Sequence, residues 1–118
     1  MAKKILIVED DQIIVKYLKE LFENNGYETI IAYDGTEAED AVKQNPDLIT
    51  LDLQMPKEWG PRFYRKMRKS KELKDIPVIV ISGFWKDPKH AIKNAVAVFS
   101  KPFDEDKLLS TVKHTIGL

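Results

Sequence analysis

Five short apolar runs alternate along the chain with segments in which apolar residues recur at helical spacing. The runs cover residues 5–8, 27–33, 48–51, 76–81 and 96–99. The run 5–8 lacks the polar alternation of a strand that has one face in solvent, and 76–81 is the most continuous of the five. A continuous apolar run is typical of a strand that is covered on both faces in a parallel sheet. The pattern therefore predicts buried parallel strands.

The segments between these runs have the spacing and the end signals of helices. Ile13, Ile14, Tyr17, Leu18, Leu21 and Phe22 form the apolar positions of the first one. We predict five helices from these signals. The first is stopped by Asn24-Asn25-Gly26, and the second is opened by a capping box from Thr36 to Glu39 and ends near Asn45-Pro46. The third is started by Gly60-Pro61, the fourth is short and covers 87–94, and the fifth is capped by Asp104.

Strict alternation of strand and helix indicates right-handed crossovers and an open parallel sheet with helices on both faces. We therefore predict an α/β fold with a doubly wound five-stranded parallel sheet, in one domain that spans residues 1–118. Sheets of this kind bind ligands beyond the carboxyl ends of their strands. The residues at those ends are the first candidates for a functional site.

Composition and charge narrow the classes of function. Lysine plus arginine equals aspartate plus glutamate at 19 each, so the formal net charge is zero and offers no overall attraction to nucleic acid. There is no cysteine and no apolar run long enough to span a bilayer, which favours the cytoplasm and argues against a membrane partner. One stretch, 62–71, carries six positive charges. We interpret it as a solvated helix face in preference to a surface for an acidic partner or nucleic acid.

Polar residues follow four of the predicted strands. They are Glu9-Asp10-Asp11 after the first, Asp52 after the third, Ser82-Gly83 at the fourth and Ser100-Lys101-Pro102 after the fifth. Carboxylates brought together repel one another, and a hard cation that prefers oxygen ligands compensates them. Glu9, Asp10 and Asp52 together carry three negative charges and Lys101 one positive charge. Mg²⁺ would bring this cluster to neutrality.

These residues are sufficient for phosphoryl transfer, which needs mainly positioning and neutralisation of charge. Asp52 would attack phosphorus, while Lys101 and Mg²⁺ would hold phosphoryl oxygens. Ser82 would donate a hydrogen bond to a further oxygen. The strand ends therefore predict a site that accepts a phosphoryl group on Asp52.

Four segments resemble, in sequence and in order, the signature segments of response-regulator receiver domains of two-component signalling. They are residues 5–11, 51–56, 80–83 and 101–103. The resemblance covers almost the whole chain and implies a flavodoxin-like (βα)5 fold with strand order 2-1-3-4-5. It also implies a signalling domain whose catalysis is limited to its own phosphorylation and dephosphorylation.

The resemblance assigns roles to individual residues. Asp10 and Asp52 would ligate Mg²⁺ directly, the main-chain carbonyl of Gln54 would be a third ligand, and Glu9 would act mainly through water. The Lys101-Pro102 peptide bond is expected to be cis. The donor would be a phosphohistidine on a sensor histidine kinase or a phosphotransfer protein, and an unknown protein would receive the output.

The chain also departs from the pattern of this family. The usual switch aromatic, three residues before the lysine, is replaced by Val98, and Phe99 points to the opposite face of its strand, where we expect it to lie in the core. Ser82 and Lys101 are only 19 positions apart, which predicts a shortened fourth helix. The Phe84-Trp85 pair is a partner contact, a lid over the aspartyl phosphate, or packing against that helix. We therefore hypothesise a non-standard readout.

Three alternatives remain at this stage. A flavodoxin-like cofactor binder is disfavoured because carboxylates, and not glycine or hydroxyl residues, follow the first strand. A hydrolytic metalloenzyme is disfavoured because Asp52-Leu53-Gln54 lacks the Asp-x-Asp pattern of such sites. A pseudo-receiver that binds proteins without phosphorylation is supported by Val98, but the complete set of acids, serine and lysine argues against it. The sequence is compatible with a stand-alone regulator and with a piece of a longer protein.

Overall fold

The computed structural model describes residues 2–55, 59–82 and 95–117. The strands are β1 (Lys4–Val8), β2 (Glu28–Ala32), β3 (Leu48–Leu51), β4 (Val78–Ser82) and β5 (Ala97–Ser100). The helices within these ranges are α1 (Gln12–Asn24), α2 (Gly35–Ala41), α3 (Trp59–Arg68) and α4 (Glu105–Ile116), and a 3₁₀ turn (Val42–Gln44) extends α2. The helix predicted over 87–94, Gly83 and the Phe84-Trp85 pair lie outside the described residues.

The five strands form one parallel sheet in the order β2-β1-β3-β4-β5. This confirms the predicted doubly wound α/β fold and its strand order. β4 begins two residues later than the apolar run from which it was predicted, because Pro77 has no N–H to donate to the ladder. The Pro77 carbonyl still accepts a hydrogen bond from the N–H of Ile49, at 3.0 Å.

The sheet separates two apolar layers, because successive side chains of a strand point to opposite faces. Leu6, Ile49 and Val80 face α2 and α3 and pack with Phe63 and Met67. On the other face, alternate residues of the same strands pack against α1 and α4; they include Ile5, Ile7, Leu48, Ile79 and Ile81, together with Phe22 and Leu108 of the helices. The continuous apolar runs in the sequence follow from this burial on both faces.

Aspartate side chains cap three of the helices. Asp11 accepts hydrogen bonds from two N–H groups at the start of α1, and Asp104 caps α4 as predicted. The capping box predicted from Thr36 to Glu39 is wrong by two residues. Asp34 is the cap of α2 and accepts from the N–H of Glu37, whose carboxylate accepts from the N–H of Tyr33. Asp34 and Glu37 have the same three-residue spacing, and aspartate is at least as good an N-cap as threonine.

The basic stretch 62–71 extends beyond the third helix. α3 ends at Arg68, so Lys69 and Lys71 of the basic stretch follow the helix and do not belong to it. Of the helices within 2–55, 59–82 and 95–117, none combines the length and the apolar character that a bilayer crossing requires.

Candidate functional site

Three acidic residues meet at the carboxyl ends of β1 and β3. These strands are neighbours with Val8 opposite Leu51, and the Asp52 N–H donates to the Val8 carbonyl at 3.0 Å, so Glu9 and Asp52 leave the sheet side by side. One carboxylate oxygen from each of Glu9, Asp10 and Asp52 lies within 4.8 Å of the others. Glu9 and Asp52 are each only 2% exposed, whereas Asp10 is exposed. The sheet therefore holds an acidic cluster that opens to solvent on the side of Asp10.

The donor set of this cluster fits a divalent cation. Carboxylate oxygens are the ligands that Mg²⁺ prefers, and one or two of them together with water are its usual protein environment. Asp52 is fixed by the N–H of Gln54, which donates to Asp52 Oδ1 at 3.0 Å. Gln54 thus lies in the loop beside the cluster. The role predicted for its main-chain carbonyl stays a prediction.

Lys101 enters the cluster from β5. Its ammonium nitrogen lies 2.6 Å from Glu9 Oε1 and 3.7 Å from Asp52 Oδ1. The Lys101-Pro102 peptide bond is cis, as predicted, and the N–H of Lys101 donates to the Ser82 carbonyl at 3.0 Å. The lysine is therefore hydrogen-bonded to Glu9 and lies farther from Asp52.

Ser82 is the last residue of β4, the strand next to β3 in the sheet. It is fully buried, and its main chain is joined to Lys101 by the bond described above. Ser82 thus lies at the same edge of the sheet as Asp52 and Lys101. The role predicted for its hydroxyl group stays a prediction.

Burial of Glu9 raises the pKa of its carboxyl to about 7, from an ordinary value of 4.5. The hydrogen bond from Lys101 lowers this pKa, and the negative charge of Asp52 raises it, but burial has the largest effect. The Glu9 carboxyl is therefore protonated more easily than that of an ordinary glutamate.

This raised pKa predicts how stability depends on pH. The folded state binds the Glu9 proton more tightly than the unfolded state does, so this contribution to stability is complete below pH 4.5 and is lost as pH rises through 7. In EDTA we expect a loss on the order of 2 kcal/mol of unfolding free energy over that range, allowing for solvent screening. Urea unfolding at a series of pH values measures it. The Glu9→Gln variant should show a flatter profile, and an unchanged slope in that variant would contradict the assignment.

Gly60, in the first turn of α3, packs directly on the main chain of the Asp52 loop. A Cβ atom at Gly60 would lie 2.5 Å from the Asp52 carbonyl oxygen and 2.8 Å from the Leu53 Cα atom. In the sequence, Gly60-Pro61 indicated only the start of a helix. The signal in the sequence was the glycine itself, eight positions after the candidate acceptor, because a residue without a side chain lets two backbones approach closely.

Gly60→Ala is expected to destabilise the protein by about 1 to 3 kcal/mol and to weaken binding of Mg²⁺, because the added methyl group displaces the Asp52 loop. Chemical unfolding and Mg²⁺ titration measure the two effects. Pro61→Ala is the matched control, since it changes the same helical turn without adding atoms beside Asp52. A Gly60→Ala protein with the stability and the Mg²⁺ affinity of the original would show that the contact is unimportant.

An apolar patch lies beside the acidic cluster on the α1 side. Ile13 is 81% exposed and Tyr17 41%, although the sequence placed both among the apolar positions of the first helix. Leu18, Leu21 and Phe22 are buried as predicted, and Val15 is buried although it was not among the predicted positions. A cavity of about 520 Å³ lies next to these residues; it is lined by Ile14, Tyr17, Lys101, Pro102 and Phe103. The lysine of the acidic cluster thus also borders an apolar surface.

The two residues that depart from the family pattern have the predicted orientations. Val98 is 38% exposed, whereas Phe99 packs into the layer formed by α1 and α4. A one-residue step along β5 therefore separates an exposed position from one that is half-buried against the core.

A family model and several known proteins match nearly the whole chain. The model of the response regulator receiver domain family matches residues 5–113. The protein Rrf1 of Nitratidesulfovibrio vulgaris is 36% identical over 99% of this chain and 85% of its own length. The polar-differentiation response regulator DivK of Brucella ovis is 35% identical over 99% of this chain and 98% of its own.

A solved structure is similar as well. The signal receiver domain of a signal transduction histidine kinase from Syntrophus aciditrophicus has 32% sequence identity and a TM-score of 0.85. The match covers 98% of this chain and 90% of that one. Because so large a share of each chain is matched, the similarity between the two structures extends over all five strands described above.

Proposed function

Because the chain belongs to the response regulator receiver domain family, whose members accept a phosphoryl group in two-component signalling, we propose that Asp52 is the residue that accepts it. The observation that carries this proposal is the position of Asp52. Its carboxylate is buried at the end of β3, close to the carboxylates of Glu9 and Asp10 and 3.7 Å from the Lys101 ammonium. A carboxylate between a lysine and a cation-binding acidic cluster is the arrangement that phosphoryl transfer requires.

The hydrogen bond from the Gln54 N–H to Asp52 Oδ1 fixes the acceptor side chain. The other carboxylate oxygen of Asp52 is then the one that attacks phosphorus. The new P–O bond forms while the P–N bond of a phosphohistidine donor breaks. Lys101 then turns from Glu9 to a phosphoryl oxygen, and the Ser82 hydroxyl donates to another. The domain catalyses only its own phosphorylation and dephosphorylation and acts on no separate substrate.

We also propose that Glu9, Asp10, Asp52 and the main-chain carbonyl of Gln54 form the Mg²⁺ site, with Glu9 acting through water. When bound, Mg²⁺ neutralises phosphoryl oxygens and compensates the carboxylates. The supporting observation is charge: three acidic side chains lie within 4.8 Å of one another, and within residues 2–55, 59–82 and 95–117 the lysine paired with them is Lys101.

The phosphoryl donor is proposed to be a phosphohistidine on a sensor histidine kinase or a phosphotransfer protein, in the cytoplasm. The exposed apolar patch of Ile13 and Tyr17 supports this, since an apolar surface near the acidic cluster offers a docking area for a protein donor. The phosphorylated domain would then alter its binding to a downstream protein.

Intact-mass analysis after incubation with acetyl phosphate and Mg²⁺ tests the proposal. We expect the gain of one phosphoryl group, its loss when EDTA replaces Mg²⁺, and its location on the peptide that contains Asp52. No gain of mass, or a phosphoryl group on a different residue, would overturn the assignment.

A further inference from the structure

A groove lies between α2 and α3, on the face of the sheet opposite to α1 and α4. It encloses a cavity of about 230 Å³ whose floor is apolar and is formed by Val42, Phe63, Met67 and Leu73. The first three of these residues are buried and Leu73 is half-buried. We call this feature the α2–α3 groove. It takes no part in the acidic site, which lies at the carboxyl ends of the strands.

The rim of the α2–α3 groove carries two exposed lysines, Lys43 and Lys66. Both are held in exposed ion pairs, Lys66 with Glu39 at 3.0 Å and Lys43 with Asp40 at 3.7 Å. Arg62, one helical turn before Lys66, and Lys69, which follows the end of α3, are also exposed. Between positions 62 and 74 the chain has seven basic residues and one acidic residue, although its net charge is zero. Positive charge is therefore concentrated beside this groove.

The size of the cavity limits what can occupy it. Sites for cofactors and drug-sized ligands usually enclose roughly 300 to 1,000 Å³, and the cavity here is smaller, about 230 Å³. That volume suits one large side chain, which is how an anchor residue of a protein partner is held. A nucleic acid phosphate backbone would use the lysines but would leave the apolar floor uncovered.

We propose that the α2–α3 groove is the docking site for an acidic segment of a partner protein. One large apolar side chain of that segment fills the cavity over Phe63 and Met67, and its carboxylates bind Lys66 and Lys43. The occupant is identified by complementarity of charge and by the volume of the cavity. The proposal is independent of phosphorylation at Asp52.

The ion pair between Glu39 and Lys66 makes the proposal sharply testable. Exposed pairs contribute little to stability, about 0 to 1 kcal/mol, so an incoming carboxylate can displace Glu39. The Lys66 side chain of this pair is 69% exposed. Glu39 thus competes with the partner for Lys66, and substitutions on the two sides of one ion pair should change affinity in opposite directions.

The probe is a short fluorescein-labelled peptide with one phenylalanine flanked on both sides by aspartates and glutamates. Binding is measured by fluorescence anisotropy on the unphosphorylated protein in EDTA. We expect Lys66→Glu to weaken binding roughly tenfold and Glu39→Gln to strengthen it about threefold. Replacing the phenylalanine of the peptide by alanine should weaken binding roughly tenfold. Lys113→Glu, on α4 across the sheet, is the matched charge control and should change nothing.

Nuclear magnetic resonance of the labelled protein locates the peptide, and resonances of Phe63, Met67 and Ser70 should shift. Absence of binding, shifts confined to another face, or equal affinity of the Lys66→Glu and Glu39→Gln proteins would overturn the proposal. So would tighter, Lys66-dependent binding to phosphatidylserine vesicles or to duplex DNA, because the groove would then be a general anion surface. Circular dichroism confirms that each variant is folded.

Discussion

Asp52→Asn is expected to abolish phosphoryl incorporation and at the same time to raise the thermal stability of the protein without divalent cations. The amide cannot form an acyl phosphate, so the chemistry is lost. The substitution also removes one of three negative charges within 4.8 Å of one another, which should stabilise the fold by about 1 to 3 kcal/mol. The amide oxygen can still accept the N–H of Gln54, so the loop keeps its bond.

Intact-mass analysis and thermal unfolding in EDTA measure the two effects of Asp52→Asn. The matched control is Asp11→Asn, which removes a neighbouring charge but keeps an N-cap on α1, because asparagine caps as well as aspartate. That variant should accept a phosphoryl group normally. Incorporation into the Asp52→Asn protein, or its destabilisation in EDTA, would contradict the account of the acidic cluster.

Lys101→Met is expected to slow phosphorylation about 100- to 1,000-fold, the usual cost of removing one group that stabilises a transition-state oxyanion. It should also lower the free energy of unfolding at pH 8 by about 3 kcal/mol, since it leaves a buried carboxylate without its counter-ion. That carboxylate is Glu9, which bonds to Lys101 at 2.6 Å and whose side chain is 3% exposed.

The double variant with Glu9→Gln and Lys101→Met separates the two roles of the lysine. Its stability should return toward that of the original protein, while its phosphorylation should stay slow. Lys113→Met, at an exposed position of α4, is the control for loss of a lysine. Recovery of the phosphorylation rate in the double variant would show that Lys101 only compensates Glu9.

The sheet and the members of the acidic cluster were predictable from local sequence. A strand buried on both faces produces an uninterrupted apolar run, and the ends of such runs are marked by Glu9, Asp52 and Lys101. Their meeting at one edge follows from parallel strands alone. The end of β3 therefore identified the candidate acceptor without any coordinates.

Contacts between distant side chains could not be predicted in this way. The sequence indicates that Lys101 neutralises acids, but only the structure shows that it bonds to Glu9 at 2.6 Å and stays 3.7 Å from Asp52. The exposure of Ile13 was hidden because helical spacing does not distinguish an apolar residue at the edge of a stripe from one in its centre. Such features depend on how neighbouring elements pack.

The α2–α3 groove was hidden for the same reason. The basic stretch suggested a solvated face, and that interpretation accounts for the exposed arginines and lysines of α3. It could not include Val42, which comes from a separate element and provides part of the apolar floor.

The sheet separates the two proposed protein-binding surfaces of the molecule. The apolar patch of Ile13 and Tyr17 is on the α1 side, and the α2–α3 groove is on the other. The two surfaces do not overlap, so a protein bound at one leaves the other uncovered. Each binary affinity could then evolve separately, and this small domain would hold an upstream and a downstream protein together within one assembly.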